Sequence, residues 1–138
     1  MSPEDLGIRA HRLVEEVLNQ GDLAVADELM TPTCVHHVPG GELTPGPASL
    51  RDVLSRTLRI FPDFHAIVED VFAAGDQVAL RATAYGTHAA TGRPAEFTVL
   101  QILRAGPGGR YAEHWCSADV LTVSRQLSTT GPALRQVI

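Results

Sequence analysis

Midway along the chain the apolar residues change their period, and this limits the fold more than any other feature. Four segments of the second half, FHAIVEDVFAAG, QVALRATAYGTH, AEFTVLQILRAG and RYAEHWCSADVLTV, read as strands. Gly75-Asp76 and the cluster from Gly106 to Gly109 supply tight turns between them. The first half has helical spacing instead. Ser2 is an N-cap, Pro3 lies in the first turn, and Glu4 and Asp5 sit near the positive end of the dipole. Leu6, Ala10, Leu13, Val14, Val17 and Leu18 then form one apolar face, which ends at Asn19-Gln20-Gly21. Asp22 caps a second helix, LAVADELM, which stops before Thr31-Pro32. TCVHHVPGGELTPGP begins as a brief strand and becomes a Gly/Pro-rich loop. Pro47 opens a third helix, with Leu50, Val53, Leu54, Thr57 and Leu58 on one side, and Phe61-Pro62 closes it. Helices followed by antiparallel strands predict an α+β domain with the helices packed on one face of a curved sheet. The mouth of such a sheet is a place for a small-molecule site.

The 138 residues fit one domain, 1–138, in which STTGPALRQVI (128–138) reads only as a loose or docked tail. A net charge of -5 and scattered arginines argue against nucleic acid or an anionic membrane as partner. All eleven cationic side chains are arginine, so Schiff-base chemistry on a lysine is excluded. Cys34 and Cys116 lack CxxC spacing and read as ordinary buried thiols. The acidic, amphipathic MSPEDLGIRAHRL does not resemble a signal peptide, and no apolar run approaches the ~18 residues of a membrane span. A cytoplasmic location is expected. The six histidines include no HxH, HxxxH or HExxH spacing, so no metal site is expected. With no P-loop, GxSxG or dinucleotide fingerprint either, cofactor-free chemistry or plain binding remains.

Residues 113–119, EHWCSAD, concentrate polar chemistry in the last strand. Alternation places Tyr111, Glu113, Trp115, Ser117 and Asp119 on one side and Ala112, His114, Cys116, Ala118 and Val120 on the other. Both sides are amphipathic, so parity alone does not choose the inside. Trp115 with Asp119 offers an apolar wall and a carboxyl whose pKa such a wall raises. Asp119 also fits a surface acid or a cap for the short helix TVSRQL, and Glu113 fits an exposed or arginine-paired acid. His114 fits solvent or a subunit contact. His36 and His37 point to opposite faces, so at most one reaches a pocket. His88 shares the face of Val78, Leu80, Ala82 and Ala84 and fits a cavity mouth or a loop hydrogen bond. His65 sits at a strand entrance, and Arg81 is expected to be exposed.

The phrases NQGDLAVADELM, VHHVPG, RIFPDFHAIVEDVFAAGDQVALRATAYGTH, TGRPAEF and RYAEHWCSADVLTVSRQL, in this order, cover most of residues 5–127. In them the chain resembles the SnoaL-like polyketide cyclases of the nuclear-transport-factor-2-like cone fold. The resemblance implies a cone-shaped barrel, three N-terminal helices against a strongly curved, mostly antiparallel sheet. It implies ring closure of a polyketide by intramolecular aldol chemistry without metal or cofactor. It makes Asp119, four residues after Trp115, the acid and base, so that Asp119→Asn is expected to keep the fold and lose turnover. His88, His37 and Gln101 are possible donors to the developing oxygen charge. Trp115, His65, Gln101, His114 and Phe61 are the expected substrate contacts, and a homodimer through the open sheet face is expected.

The loop after GTH, only AATGRP, is shorter and less glycine-rich than in many relatives, which bears on the pocket mouth. Epoxide opening in the same fold is a rival, but Arg81-Ala82-Thr83 lacks the second aspartate it resembles. A ketosteroid-isomerase-like site finds no support in the placement of Tyr85 and Tyr111. A non-catalytic pocket or accessory subunit remains the rival of another class, and an Asp119 facing solvent favours it.

Overall fold

In the computed structural model, which describes residues 1–128, helices and strands fall where the period changes. The expected tail from residue 129 onward lies outside the described residues. Among the described residues are helices α1 (Pro3–Arg12), α2 (Leu23–Leu29), α3 (Pro47–Ile60) and α4 (Val120–Leu127). The strands are β1 (Met30–Val38), β2 (Gly41–Glu42), β3 (His65–Ala74), β4 (Gln77–Thr87), β5 (Pro94–Ala105) and β6 (Tyr111–Ala118).

α1 starts with a capping box: Asp5 N–H donates to Ser2 Oγ at 3.1 Å, and Ser2 N–H donates back to Asp5 Oδ2 at 3.2 Å. Past Arg12 the helix widens into a π-helical turn, Leu13–Leu18, in which Asn19 N–H reaches back to Val14 O at 3.0 Å. Asn19 then clamps this end to β3, donating to Ala66 O and accepting from Ala66 N–H, both at 2.8 Å.

The strands make one sheet in the order β2-β1-β6-β5-β4-β3. Its pairs are antiparallel except β1 with β6, which run parallel. The two-residue β2 ends one edge and β3 the other, and the two do not pair. The sheet is therefore open rather than a strict barrel, and the expected α+β cone, helices packed on a curved and mostly antiparallel sheet, is the fold observed. Leu6, Ala10, Leu13, Val14 and Val17 pack into one core with Val78, Leu80, Ala82, Leu103 and Tyr111. Each large side chain buried there contributes about 1.5–3 kcal/mol.

Two backbone features set up the interior. β6 carries a bulge: Arg104 pairs with Glu113 but Ala105 pairs with Tyr111, leaving Ala112 extra. The bulge turns Tyr111 inward, on the opposite side from Glu113 and Trp115, where the sequence parity had grouped all three. Tyr111 is fully buried, its hydroxyl donates to Leu6 O, and burial pushes the phenol pKa up. The second feature is the loop into α3. Gly46 has φ +82, its N–H donates to Cys34 O at 2.8 Å, and a Cβ there would stand 2.2 Å from Pro32 O. Only glycine fits that backbone and that approach. Gly46→Ala is expected to cost at least about 1–3 kcal/mol of stability from the backbone strain alone, read as a lower urea midpoint with an unchanged slope.

Candidate functional site

Between the helices and the sheet lies a cavity of about 240 Å³, close to the lower end of the about 300–1,000 Å³ of small-molecule pockets. Leu13, Val14 and Leu18 of the π-helical turn form one wall, and Leu50, Val53 and Leu54 of α3 form another. Phe61 closes one side; it is buried, and its ring packs on Gly86, where a Cβ would meet Phe61 Cβ at 2.7 Å.

The floor is polar. His36 of β1, His114 and Cys116 of β6 and Gln101 of β5 all line the cavity. The register explains their meeting: His36 pairs with His114 across the parallel β1–β6 ladder, and Gln101 pairs with Cys116 beside it. His36 Nε2 lies 3.0 Å from Gly46 O, and His36 Nδ1 lies 2.9 Å from His114 Nδ1. The two rings meet edge to face. His114 Nε2 lies 2.9 Å from the Gln101 side-chain amide. His36, Gln101 and His114 are 1%, 6% and 7% exposed, so all three are out of reach of bulk water.

Burial governs their ionisation. It pushes His114 down to about 3, with the nearby His36 and His37 adding to the effect. It also lowers His36, against which the hydrogen bond to Gly46 works. Both rings are uncharged at neutral pH. Burial raises the Cys116 thiol to about 11, which keeps it protonated and a poor nucleophile. Among the described residues, no carboxylate lines this cavity.

Of the residues singled out by sequence, Gln101, His114 and Phe61 lie in this wall; the others do not. His37 and Trp115 are on the outer face, stacked with ring centroids 5.1 Å apart. His37 Nε2 lies 2.7 Å from Glu113, which also accepts from Arg104 at 3.1 Å. The His37 and Arg104 contacts hold the Glu113 carboxyl below its usual range. His65 is exposed and stacks on Tyr85. His88 lies beyond the end of β4, with Nδ1 2.8 Å from Thr91 Oγ1 and its ring 6.1 Å from that of Phe61, behind the cavity wall. Arg81 is exposed and paired with Asp70.

Asp119 is exposed and does not line the cavity, though Ala118 beside it does. β6 ends at Ala118 and the chain turns directly into α4, whose first N–H groups need an acceptor. Asp119 supplies it, accepting from Thr122 N–H at 3.1 Å and Thr122 Oγ1 at 2.6 Å. These bonds lower its pKa, the reverse of the rise an apolar wall would cause. His36 and Cys116 were the residues missed. The available signal was that the His114 side of β6 carries no carboxylate, while the Trp115 side carries Glu113 and Asp119, which need water.

An open, curved sheet wrapped around helices, with an apolar cavity over its concave face, is the architecture of the nuclear-transport-factor-2-like class. Within that class the chain belongs to the SnoaL-like polyketide cyclase family, whose sequence model matches residues 8–127. It is similar to IdmH from Streptomyces antibioticus, described as a candidate polyketide cyclase, at 36% identity over 92% of this chain and 99% of that one, with a TM-score of 0.79. It is also similar to AclR from Streptomyces galilaeus, a candidate hydroxylase, at 26% identity over 85% of this chain and 80% of that one, with a TM-score of 0.73. A SnoaL-like protein from a Jannaschia species shares the fold, at 20% identity over 94% of this chain and 96% of that one, with a TM-score of 0.82. Among curated proteins, none matches the chain significantly.

Two outcomes follow from the ionisation of these groups. His114 and His36 are held uncharged in the fold, while the unfolded chain protonates them below about 6.5. The unfolded state therefore binds more protons in that window, and stability falls as pH drops from about 6.5 towards 3. Urea titrations at a series of pH values should show this fall, flattened in His114→Phe. Asp119→Asn keeps an N-cap acceptor and should leave the melting temperature and ligand turnover nearly unchanged, whereas Asp119→Ala should lower the melting temperature by a few degrees. Loss of turnover in a folded Asp119→Asn variant would return this carboxylate to the mechanism.

Proposed function

We propose that the chain is a cofactor-independent cyclase or isomerase acting by acid/base chemistry on a polyketide-like small molecule bound in the cavity. The observation that carries this is the pair of buried, uncharged imidazoles on the floor of a largely apolar chamber. His114 takes a proton from a carbon flanked by carbonyls, and the electron pair moves onto a carbonyl oxygen. The enolate carbon attacks a second carbonyl of the same molecule, forming the ring bond, and the new alkoxide takes the proton back. The protein ends as it began.

An isolated imidazolium is costly in this chamber, which is why His114 is depressed. The enolate formed beside it supplies the missing counter-charge. Opposite charges about 4 Å apart attract by about 4 kcal/mol at an effective dielectric constant near 20, which offsets much of that cost. Family membership and the likeness to IdmH support the cyclase reading at the level of class. The free thiols Cys34 and Cys116 suit a reducing, cytoplasmic setting.

One observation favours a second reading. Both imidazoles of the floor are bonded within the protein at each ring nitrogen and Asp119 stands outside, which also suits a pocket that binds without reacting. Hydrogen–deuterium exchange at the α-carbon of an aromatic ketone in D2O, followed by NMR, separates the two. The cyclase reading expects faster exchange with the protein, reduced about 100-fold or more in His114→Phe. Bound ketone without faster exchange would sink it in favour of the binding pocket.

The reading includes a homodimer through the outer sheet face, where Phe72 (71% exposed), Leu100 (54%), Ile67 and Ile102 leave apolar surface in water. Sedimentation should give a dimer at micromolar concentration and a monomer for a Leu100→Glu, Ile102→Glu double variant; a wild-type monomer would refute the assembly.

A further inference from the structure

The line Gly46–His36–His114–Gln101 has a direction, and the direction gives Gln101 a task. A backbone carbonyl only accepts, so at 3.0 Å from Gly46 O the His36 Nε2 must carry hydrogen. An uncharged His36 then has its lone pair on Nδ1. His114 Nδ1, 2.9 Å away, must donate to it. An uncharged His114 is left with its lone pair on Nε2, 2.9 Å from the Gln101 amide. Only the NH2 end of that amide satisfies a lone pair, so the carbonyl end turns away. The two ends of a carboxamide have the same shape, and their partners decide which points where. The His114 contact is the one hydrogen bond of the Gln101 side chain among the described residues, and the side chain lines the cavity.

Adding one proton reverses a single member of this line. His36 Nε2 still donates to Gly46. The two Nδ1 atoms share one hydrogen whichever ring is charged. His114 Nε2 now carries hydrogen and needs an acceptor, which is the Gln101 oxygen, the end placed next to it in the structure. The NH2 end then turns to the ligand. Gly46 cannot reverse, and the histidines cannot reverse without leaving two acceptors face to face.

Resting on the proposed function, we infer that Gln101 is a substrate-contacting, specificity-determining residue whose amide turns over with the proton on the histidine pair. With the pair neutral it offers its carbonyl to a ligand hydroxyl; with the pair protonated it offers NH2 to a ligand oxyanion. In the reaction the amide swings aside while His114 Nε2 takes the proton from carbon. It returns with its oxygen on Nε2–H and its NH2 on the enolate oxygen. The resting site thus selects a hydroxyl, an enol or phenol, near the reacting carbonyl, and rejects the O-methyl ether that has only an acceptor to offer.

The surroundings leave this balance to the ligand. The titratable groups near the pair are Cys34 and His37 on β1 and Glu113 and Cys116 on β6. Glu113 is engaged by His37 and by Arg104 of β5 on the outer face. The helices over the cavity present Leu13, Val14, Leu50 and Leu54. Among the described residues of the cavity wall none carries a charge that would neutralise a charged pair, so a ligand oxyanion does so.

The first test needs neither turnover nor a variant. Nitrogen-15 NMR of the histidine rings in the free protein at pH 7 should show two uncharged rings, His36 with hydrogen on Nε2 and His114 with hydrogen on Nδ1. An uncharged His114 with hydrogen on Nε2, or a charged pair at pH 7, overturns the inference even if ketone exchange is catalysed. The second test compares 4-nitrophenol with 4-nitroanisole at pH 6. The wild-type protein should bind the phenol about tenfold more tightly, about the worth of one hydrogen bond, and Gln101→Leu should bind the two alike. Equal binding by the wild type, or an undiminished preference in a folded Gln101→Leu, overturns it. Failure of the ketone-exchange assay alone removes the cyclase reading and leaves both of these results standing.

Discussion

The hydrogen bond from His36 to the carbonyl of Gly46 is the constraint on which the interior depends. It joins the loop before α3 to β1, and through His114 and Gln101 it reaches β6 and β5. The residue that supplies the carbonyl is also the one whose backbone only glycine adopts, pressed against Pro32. α3 begins at the next residue and carries Leu50, Val53 and Leu54 over the cavity. One backbone group thus fixes the placement of the roof and the hydrogen on the first ring of the floor. Polar groups buried in this way are stable only when each has its partner, and here the chain of partners ends at a side chain free to turn.

Much of the fold was legible in the sequence because its elements have strong periods and clear ends. Ser2, Asp22 and Pro47 mark the helix starts, and the four long strands alternate between tight turns. Which strands end up at the two edges of the sheet was not legible, since it depends on pairings between distant segments, and no residue pattern states that. The site was legible only in part, because a strand pattern separates two faces without saying which is inside. Gln101, His114 and Phe61 belong to the inner surface, and Trp115 and His37 to the outer. The bulge at Ala112 added to the difficulty by sending Tyr111 to the side opposite Trp115. Asp119 was a question of face and of where a strand stops: it has the outward parity of Trp115, and β6 gives way to α4 after Ala118, so the carboxylate becomes a cap.

Family membership fixes the class of protein, but chemistry belongs to the groups that line a particular cavity. Among the described residues those with a titratable proton are two imidazoles and a thiol held at about 11. The proposed chemistry therefore falls to the imidazoles. Their low proton affinity in the empty chamber suits a base whose partner brings the compensating charge, since the cost of separated charge is met only while substrate is present.

The stacking of Trp115 on His37 also determines what light can report about this molecule. Trp115 is the sole tryptophan, and it looks outward from the sheet beside the Glu113–Arg104 pair. Its emission is an optical label on the outer surface, with the thickness of the strand between the indole and the chamber. Intrinsic fluorescence will follow events at that surface, including changes in the stacking of the neighbouring imidazole. Occupancy of the interior has to be read from the guest instead, through its own colour or its own nuclei.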